Sequence, residues 1–293
     1  MLANYRDILP LCVLLIAESC YAAAQPESGS GTLRSEIPFE LLRENLIVVQ
    51  GTINTQENLN LVLDTGANRT IICPELVRRL NLHGRQESLV SMTGTLSTEA
   101  VTLTRVELGA FHSFASVALV EDLSELRMDD GRPIVGIVGL DVLSSTSFMI
   151  DYVRRKIVFG TEAPGKTSVR LISSEPFAAV LVNIEGQELH LLVDTGTPRI
   201  LVFRNRLDVS RCKIQAVKGQ SDPAIASPGA VVRAAWFRAS HISIGNKKIK
   251  KQLLLVADDT PDFRGQIDGL LGLAQSGFQK VWLDFEAGTM AWE

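Results

Sequence analysis

Short apolar runs, many of them β-branched, follow one another along most of the chain and are separated by Gly, Asn, Asp and Pro. Examples are NLIVVQGTI at 45–53, NLVLDTG at 60–66 and LHLLVDTG at 189–196. Runs of this kind between turn-forming residues are typical of buried β-strands. A helical pattern is scarce, and the best case is CPELVRRLNL at 73–82, where Pro74 suits the first turn of a helix. The pattern therefore predicts an all-β protein.

The same sequence landmarks occur twice along the chain and in the same order. The first copies are LVLDTGA (61–67), VELGAF (106–111), VGIVGLDVL (135–143) and MIDYVRRKIVFG (149–160), and the second copies are LLVDTGT (191–197), ISIGNK (242–247), DGLLGLAQS (268–276) and WLDFEAGTMAWE (282–293). A period this long suits a duplicated domain rather than a solenoid. We expect an N-terminal lobe at 37–160, an inter-lobe linker at 161–175 and a C-terminal lobe at 176–293.

The N-terminal segment predicts export. An apolar run at 8–17, followed by the small residues of YAAAQ, is typical of a secretory signal peptide over residues 1–24. The run is too short to cross a bilayer, so we expect no stable membrane span after cleavage. Residues 25–36 are polar and rich in Gly and Ser, which predicts a flexible leader. The expected location is periplasmic or secreted, and a lipid anchor on Cys20 is an alternative that the residues before it disfavour.

The composition is that of a folded protein, with 46% apolar residues, 21% charged residues and a formal net charge of −4. The clustered cations of KKIKK at 247–251 alternate with an apolar residue and suit a solvated strand edge. We therefore expect no nucleic-acid partner. Removal of the signal peptide leaves Cys73 and Cys212, which form either one disulfide or two separate thiols.

The repeat duplicates one chemically distinctive tripeptide, Asp-Thr-Gly, which closes an apolar strand in each half. If the halves pack about a pseudo-twofold axis, the carboxylates of Asp64 and Asp194 lie side by side. Two carboxylates that close share one proton, because both cannot ionise together. We expect Thr65 and Thr195 to hydrogen-bond across the axis. Gly66 and Gly196 should allow the tight loop backbone and leave their N–H groups free to bond the carboxylates.

A proton-sharing pair provides an acid and a base in one site. The ionised carboxylate deprotonates a water molecule held between the two, and the protonated carboxyl group donates to a carbonyl oxygen. The predicted reaction is addition of water to a peptide carbonyl, with no covalent intermediate, no metal and no cofactor.

At these motifs the chain resembles the retropepsin-like (retroviral-type) aspartic proteases, through DTGA at 64–67 and the Ile-Val-Gly-Leu-Asp-Val-Leu of 137–143. The second half is similar but less regular, and two lobes in one chain are the arrangement of pepsin-like enzymes. The resemblance implies an all-β bilobal fold, with a β-barrel-like lobe around each Asp and the active site at the lobe interface. It also implies a flap over the substrate, with its tip at Met92, Thr93, Gly94 and Thr95.

Two features depart from the family pattern. Pepsin-like enzymes carry a flap tyrosine, whereas the tyrosines of this chain are Tyr5, Tyr21 and Tyr152. Pro198 follows the second tripeptide where a polar residue is usual. A second flap is expected in the same slot of the second half, at 218–245, and Trp236 near it is either a subsite residue or a core aromatic.

Other candidate motifs do not carry a function. GTEAPGKT at 160–167 matches the phosphate-binding loop pattern, but SVRLISSEPF follows it and reads as strand and loop rather than a helix. We therefore expect no nucleotide. The histidines have no metal-ligand spacing.

The sequence thus predicts a monomeric aspartic endopeptidase that acts on a peptide or protein substrate through Asp64 and Asp194. One alternative is a catalytically weak or inactive protein that binds peptides in the same groove. A second alternative is pairing of one lobe with the same lobe of another chain.

Overall fold

The computed structural model describes residues 8–9, 16–17, 34–91, 94–163, 165, 167–174, 177–208, 213–217, 223–227, 230–258 and 267–293. Their regular secondary structure is nearly all β-strand, with two short α-helices, which confirms the all-β prediction. The helices are α1 (Pro74–Arg79) and α2 (Leu140–Leu143). The first lies inside the helix predicted at 73–82, and the second was not predicted because four residues show no helical period.

The strands of the first half are β1 (Ile8–Leu9), β2 (Ile16–Ala17), β3 (Ser35–Pro38), β4 (Glu40–Leu42), β5 (Leu46–Ile53), β6 (Gln56–Leu63), β7 (Ile71–Ile72), β8 (Arg85–Ser91), β9 (Gly94–Leu108), β10 (Phe111–Val120), β11 (Gly136–Val138), β12 (Phe148–Asp151) and β13 (Lys156–Phe159). Within the described residues, one sheet follows the order β2-β8-β9-β10-β7-β11-β6-β5-β4. An additional pairing of β9 with β5 closes it into a barrel-like lobe.

The strands of the second half are β14 (Ser168–Arg170), β15 (Ile172–Ser174), β16 (Phe177–Ile184), β17 (Gln187–Asp194), β18 (Leu201–Phe203), β19 (Gln215–Ala216), β20 (Ala224–Ser227), β21 (Ala230–Ile244), β22 (Lys247–Ala257), β23 (Gly269–Gly272), β24 (Lys280–Asp284) and β25 (Thr289–Trp292). The path β20-β21-β22-β18-β23-β17-β16-β15 repeats that of the first lobe from β8 to β4, and β21 with β16 repeats the closing pair. The duplication seen in the sequence is therefore a duplication of topology.

The two lobes share a third sheet, with the order β14-β25-β24-β12-β13-β3. Its centre is the antiparallel pair of β12 from the first half and β24 from the second, in which Ile150 faces Val281. Main-chain hydrogen bonds therefore run continuously from one lobe to the other, and they set the relative position of the halves.

The cores are built from the apolar faces of matching strands. β5 and β16 have the same order of buried and exposed positions, and each is buried at its first four residues. Four consecutive buried residues show that both faces of the strand are covered, which explains the continuous apolar runs in the sequence. Within the described residues, no helix is long and apolar enough to cross a membrane.

Strands extend into two segments that were expected to be connections. The segment expected to be the linker, 161–175, contains β14 and β15, and β3 begins at Ser35, inside the expected leader. The structure describes only residues 8–9 and 16–17 of the predicted signal peptide, which stays a prediction. Cys73 is half-buried and forms no disulfide within the described residues, and Cys212 lies outside them.

We expect Ile150→Ala to lower the free energy of unfolding by about 3 kcal/mol, because a buried branched side chain leaves a cavity at the sheet that joins the lobes. Ile150 is 1% exposed. Met149→Ala is the matched control, since Met149 lies on the other face of the same strand and is only partly buried. Urea unfolding measures both, and equal effects would contradict the expected role of this sheet.

Candidate active site

The two Asp-Thr-Gly tripeptides stand at equivalent strand ends. Asp64 follows β6 directly, and its N–H donates to the carbonyl oxygen of Val138 at 3.0 Å. Asp194 is the last residue of β17 and is paired with Gly272 on the parallel strand β23. Each aspartate is therefore held by the strand next to it, at the same point of each lobe.

Hydrogen bonds of the two threonines join the tripeptides across the lobe interface. The Thr65 N–H donates to Thr195 Oγ1 at 3.0 Å, and the Thr195 N–H donates to Thr65 Oγ1 at 3.1 Å. Each hydroxyl donates in turn to a carbonyl oxygen of the opposite strand, Thr65 to Val193 at 2.7 Å and Thr195 to Leu63 at 2.9 Å. The four bonds are buried and form a symmetric network that brings the aspartates together.

The glycine of each tripeptide lies against the opposite carboxylate. A Cβ atom on Gly66 would stand 2.6 Å from Asp194 Cγ, and a Cβ atom on Gly196 would stand 2.6 Å from Asp64 Oδ2. No side chain fits at those distances, so both positions require glycine. The same observation shows that the two carboxylates approach each other's loops.

The carboxylates are buried and hydrogen-bonded to main-chain N–H groups. Asp64 and Asp194 are each 1% exposed. Asp64 Oδ1 accepts the N–H of Gly66 at 2.8 Å, while Asp194 Oδ1 accepts the N–H groups of both Gly196 at 2.6 Å and Thr197 at 3.1 Å. The two halves of the site are therefore similar but not identical.

Burial raises the pKa of Asp64 well above its ordinary value, and the neighbouring charge of Asp194 raises that pKa further. The N–H of Gly66 acts in the opposite direction, since it favours the ionised form. A carboxyl group in this position keeps its proton where an ordinary aspartate has lost it. The pair can therefore hold one proton and one negative charge at the same time.

A second pair of glycines allows strands to pass beneath the loops. A Cβ atom on Gly139 would lie 2.6 Å from the carbonyl oxygen of Arg69, and one on Gly272 would lie 2.5 Å from the main-chain nitrogen of Arg199. The apolar residues that precede these glycines on β11 and β23 are buried. Their role is packing, which brings each loop close to its supporting strand.

A polar pair that the sequence did not indicate lies under the first loop, with Thr70 buried and Asp141 half-buried. Thr70 Oγ1 donates to Asp141 Oδ1 at 2.9 Å and accepts the N–H of Gly139 at 3.3 Å. Burial raises the pKa of Asp141 to about 7, against the hydrogen bond from Thr70 and the charge of Arg69. The matching positions of the second half carry Ile200 and Ala274, and this difference between the repeats was the available signal.

Hairpins stand where the flaps were predicted. β8 and β9 pair up to Ser91 and Gly94, and Thr95 pairs with Val90; Met92 and Thr93 lie outside the described residues. The second lobe has the hairpin of β20 and β21 in the same place.

The two residues singled out near the second loop are accommodated in the C-terminal lobe. Trp236, on β21, is partly buried against an apolar cluster of that lobe, and the guanidinium group of Arg199 lies 5.7 Å from the centre of its ring. Pro198 is buried like Asn68, its counterpart in the first loop, and residues 61–70 and 191–200 share one burial pattern.

No group of three or more His, Cys, Asp or Glu side chains within the described residues could hold a metal ion. The chemistry that the site offers is that of two buried carboxyl groups with one shared proton.

Comparison with known proteins agrees with this geometry. The family model described as Aspartyl protease matches the chain twice, over residues 49–142 and 180–274. The matches together cover more than half of the chain, and each contains one Asp-Thr-Gly. The chain belongs to this aspartyl protease family, which confirms the resemblance to retropepsin-like proteins.

Among solved structures, the chain is similar to the crystal structure of aspartic proteinase from Irpex lacteus, with a TM-score of 0.55 and 14% identity. The likeness covers 89% of this chain and 97% of that chain, and it shows the two-lobed aspartic proteinase fold. No curated protein matches the chain. Family and fold together support a protease-like function.

We expect Thr65→Val to lower the free energy of unfolding by roughly 2–4 kcal/mol, because it leaves the buried N–H of Thr195 and the carbonyl of Val193 unpaired. Thr98→Val is the matched control, since the Thr98 hydroxyl is buried but donates within its own lobe, to Val120 at 2.8 Å. The double variant Thr65→Val/Thr195→Val should cost less than the sum of the single variants, because the four bonds form one network. Additive effects in chemical unfolding would contradict this.

We expect the stability of the wild-type protein to fall as pH rises from about 4 to about 7, because Asp141 is protonated in the folded state over this window and ionised in the unfolded state. Asp141→Asn removes that titration, so the fall in the free energy of unfolding across this pH range should be smaller by roughly 2–3 kcal/mol. Asp129→Asn, at an exposed position of the same lobe, is the control. The measurement is the urea unfolding midpoint across this pH range. Parallel profiles for wild type and Asp141→Asn would show that Asp141 does not cause the fall in stability.

Proposed function

We propose that this protein is an aspartic endopeptidase that hydrolyses peptide bonds with Asp64 and Asp194. The observation that carries the proposal is the meeting of two buried carboxylates, one from each lobe, in loops locked by the Thr65–Thr195 network. The family to which the chain belongs supports it.

The arrangement supports general acid–base catalysis. A water molecule between the carboxyl groups loses a proton to the ionised one and attacks the peptide carbonyl carbon. The protonated carboxyl group donates its proton to the carbonyl oxygen, so that the tetrahedral intermediate forms with its charge neutralised. As the C–N bond breaks, the carboxyl group that took the proton from water gives it to the leaving nitrogen. The other carboxylate takes a proton from a hydroxyl group of the intermediate, which restores the single shared proton. No step requires a covalent bond to the protein.

The fold also supports an extended peptide as the substrate. The flap hairpins of the two lobes, β8–β9 and β20–β21, are equivalent elements of the duplicated topology. Both aspartates come from one chain, so the site is complete in a monomer, and pairing between chains is unnecessary.

We expect Asp64→Asn and Asp194→Asn each to reduce peptide hydrolysis by a factor on the order of 10² to 10⁴, because each removes the acid or the base. The measurement is digestion of a peptide library across pH, with and without pepstatin. Asp151→Asn, in the sheet that joins the lobes, is the control for replacing a buried aspartate. The wild-type pH–rate profile should be bell-shaped, since activity requires one proton on the pair and no more.

The outcomes separate the alternatives. Hydrolysis that survives either dyad substitution would exclude the two-carboxylate mechanism. A wild-type protein that binds peptides but is as inactive as both variants would instead be a peptide-binding protein. Light scattering of the active form tests pairing between chains, which an active monomer excludes.

A further inference from the structure

The peptide unit between Gly196 and Thr197 connects the second aspartate to the other lobe. Its N–H, on Thr197, donates to Asp194 Oδ1 at 3.1 Å. Its carbonyl oxygen, on Gly196, accepts a hydrogen bond of 2.9 Å from Nδ2 of Asn45. A single peptide plane thus lies between an amide side chain of the N-terminal lobe and a carboxylate of the C-terminal lobe.

Asn45 is held in place by an unusual turn between β4 and β5. The two residues before it, Arg43 and Glu44, have φ angles of 52° and 67°, in the left-handed region that non-glycine residues rarely adopt. The Asn45 side chain is 0% exposed, and its main-chain N–H donates to the carbonyl oxygen of Leu42 at 3.3 Å. Two successive residues of this kind form the tight turn of a β-hairpin, and this turn brings Asn45 to the start of β5.

The loop of the first aspartate is arranged differently. In its loop the N–H of Ala67 donates to the main-chain oxygen of Asp64, at 3.3 Å, rather than to the carboxylate. The residue that matches Asn45 in the repeat is Pro176, which directly precedes β16 as Asn45 directly precedes β5. A proline side chain carries no hydrogen-bond donor. The contact from Asn45 therefore distinguishes the two halves of the site.

The physical effect of this contact is directional. A peptide whose carbonyl accepts a hydrogen bond is polarised, so that its N–H becomes a stronger donor. A stronger donor to a carboxylate oxygen favours the ionised form of that carboxylate. The side chain of Asn45 also fixes the angle of the peptide plane, and with it the direction in which the Thr197 N–H points.

We propose that Asn45 is a positioning residue that orients the Gly196–Thr197 peptide and thereby makes Asp194 the ionised member of the pair, with the shared proton on Asp64. The proposal rests on the proposed function for its catalytic meaning: Asp194 is then the base that takes the proton from water, and Asp64 is the acid. The geometry itself is independent of turnover.

The charged groups near Asn45 and the pair do not account for this asymmetry. Glu44 is exposed, and its charge lies close to Arg199 across the lobe interface. Arg43 donates to the main-chain oxygen of Glu125 at 3.2 Å. On the first loop, Arg69 lies near Asp141, beneath the site.

The test measures the titration of each aspartate with the other replaced, by NMR of ¹³C-labelled aspartate carboxyl groups. In the Asp64→Asn background only Asp194 of the pair titrates, and adding Asn45→Leu should raise its pKa by roughly half a unit to one unit. In the Asp194→Asn background the same addition should leave Asp64 nearly unchanged. Equal shifts in both backgrounds, or none in either, would overturn the proposal.

Asn60→Leu is the matched control, because the Asn60 side chain also donates to a main-chain carbonyl of the first lobe, that of Pro133 at 3.0 Å. It should shift neither aspartate. If Asn45→Leu fails to fold, Asn45→Ala takes its place with the same expected shifts. Because these titrations need no substrate, they decide the role of Asn45 even if the wild-type protein proves inactive in peptide digestion.

In an active protein, Asn45→Leu should lower kcat by roughly tenfold or more while KM changes little, because the contact orients a catalytic group and does not touch substrate. The acidic limb of the pH–rate profile should move to higher pH, since the base then ionises at higher pH. A rise in KM with kcat and the acidic limb unchanged would contradict the positioning role.

Discussion

The structure depends on one buried interaction, the reciprocal hydrogen bonding of Thr65 and Thr195 across the lobe interface. Each hydroxyl accepts an N–H from the opposite loop and donates to a carbonyl of the opposite strand, so neither loop is satisfied alone. Buried polar groups that are fully paired specify a single arrangement, because any displacement leaves several of them unpaired. The network therefore holds two acidic groups close together, although repulsion between their ionised forms would separate them.

The other large features of the fold serve the same contact. The barrel-like lobes place a strand end at each loop, and the glycines Gly139 and Gly272 allow the supporting strands to approach the loops closely. The sheet shared by the lobes, through β12 and β24, holds the halves at a constant relative position. Regular strands, which are more rigid than loops, thus hold the two loops of the site in position.

Duplication within one chain permits the halves to differ, and the differences lie around the symmetric centre. The first lobe supports its loop with the hydrogen-bonded pair of Thr70 and Asp141, where the second has Ile200 and Ala274. Asn45 contacts the second loop, whereas its counterpart is Pro176. Two chemically equal carboxylates can in this way acquire the different environments that an acid and a base require.

The sequence by itself determined the strand-rich fold, the duplication and the identity of the paired aspartates, because alternating turn signals and a repeated tripeptide are local patterns. It also indicated the threonine network and the glycines, because the two copies of the tripeptide meet if the halves pack about a twofold axis. Only the tertiary structure decided that Asn45 reaches Gly196, that Asp141 is hydrogen-bonded to Thr70 beneath the first loop, and that β12 pairs with β24. These contacts join residues between 71 and 151 positions apart or strands of different lobes, and their partners have no fixed spacing in the chain. A single asparagine or aspartate in the sequence does not identify the residue that it contacts in the folded chain.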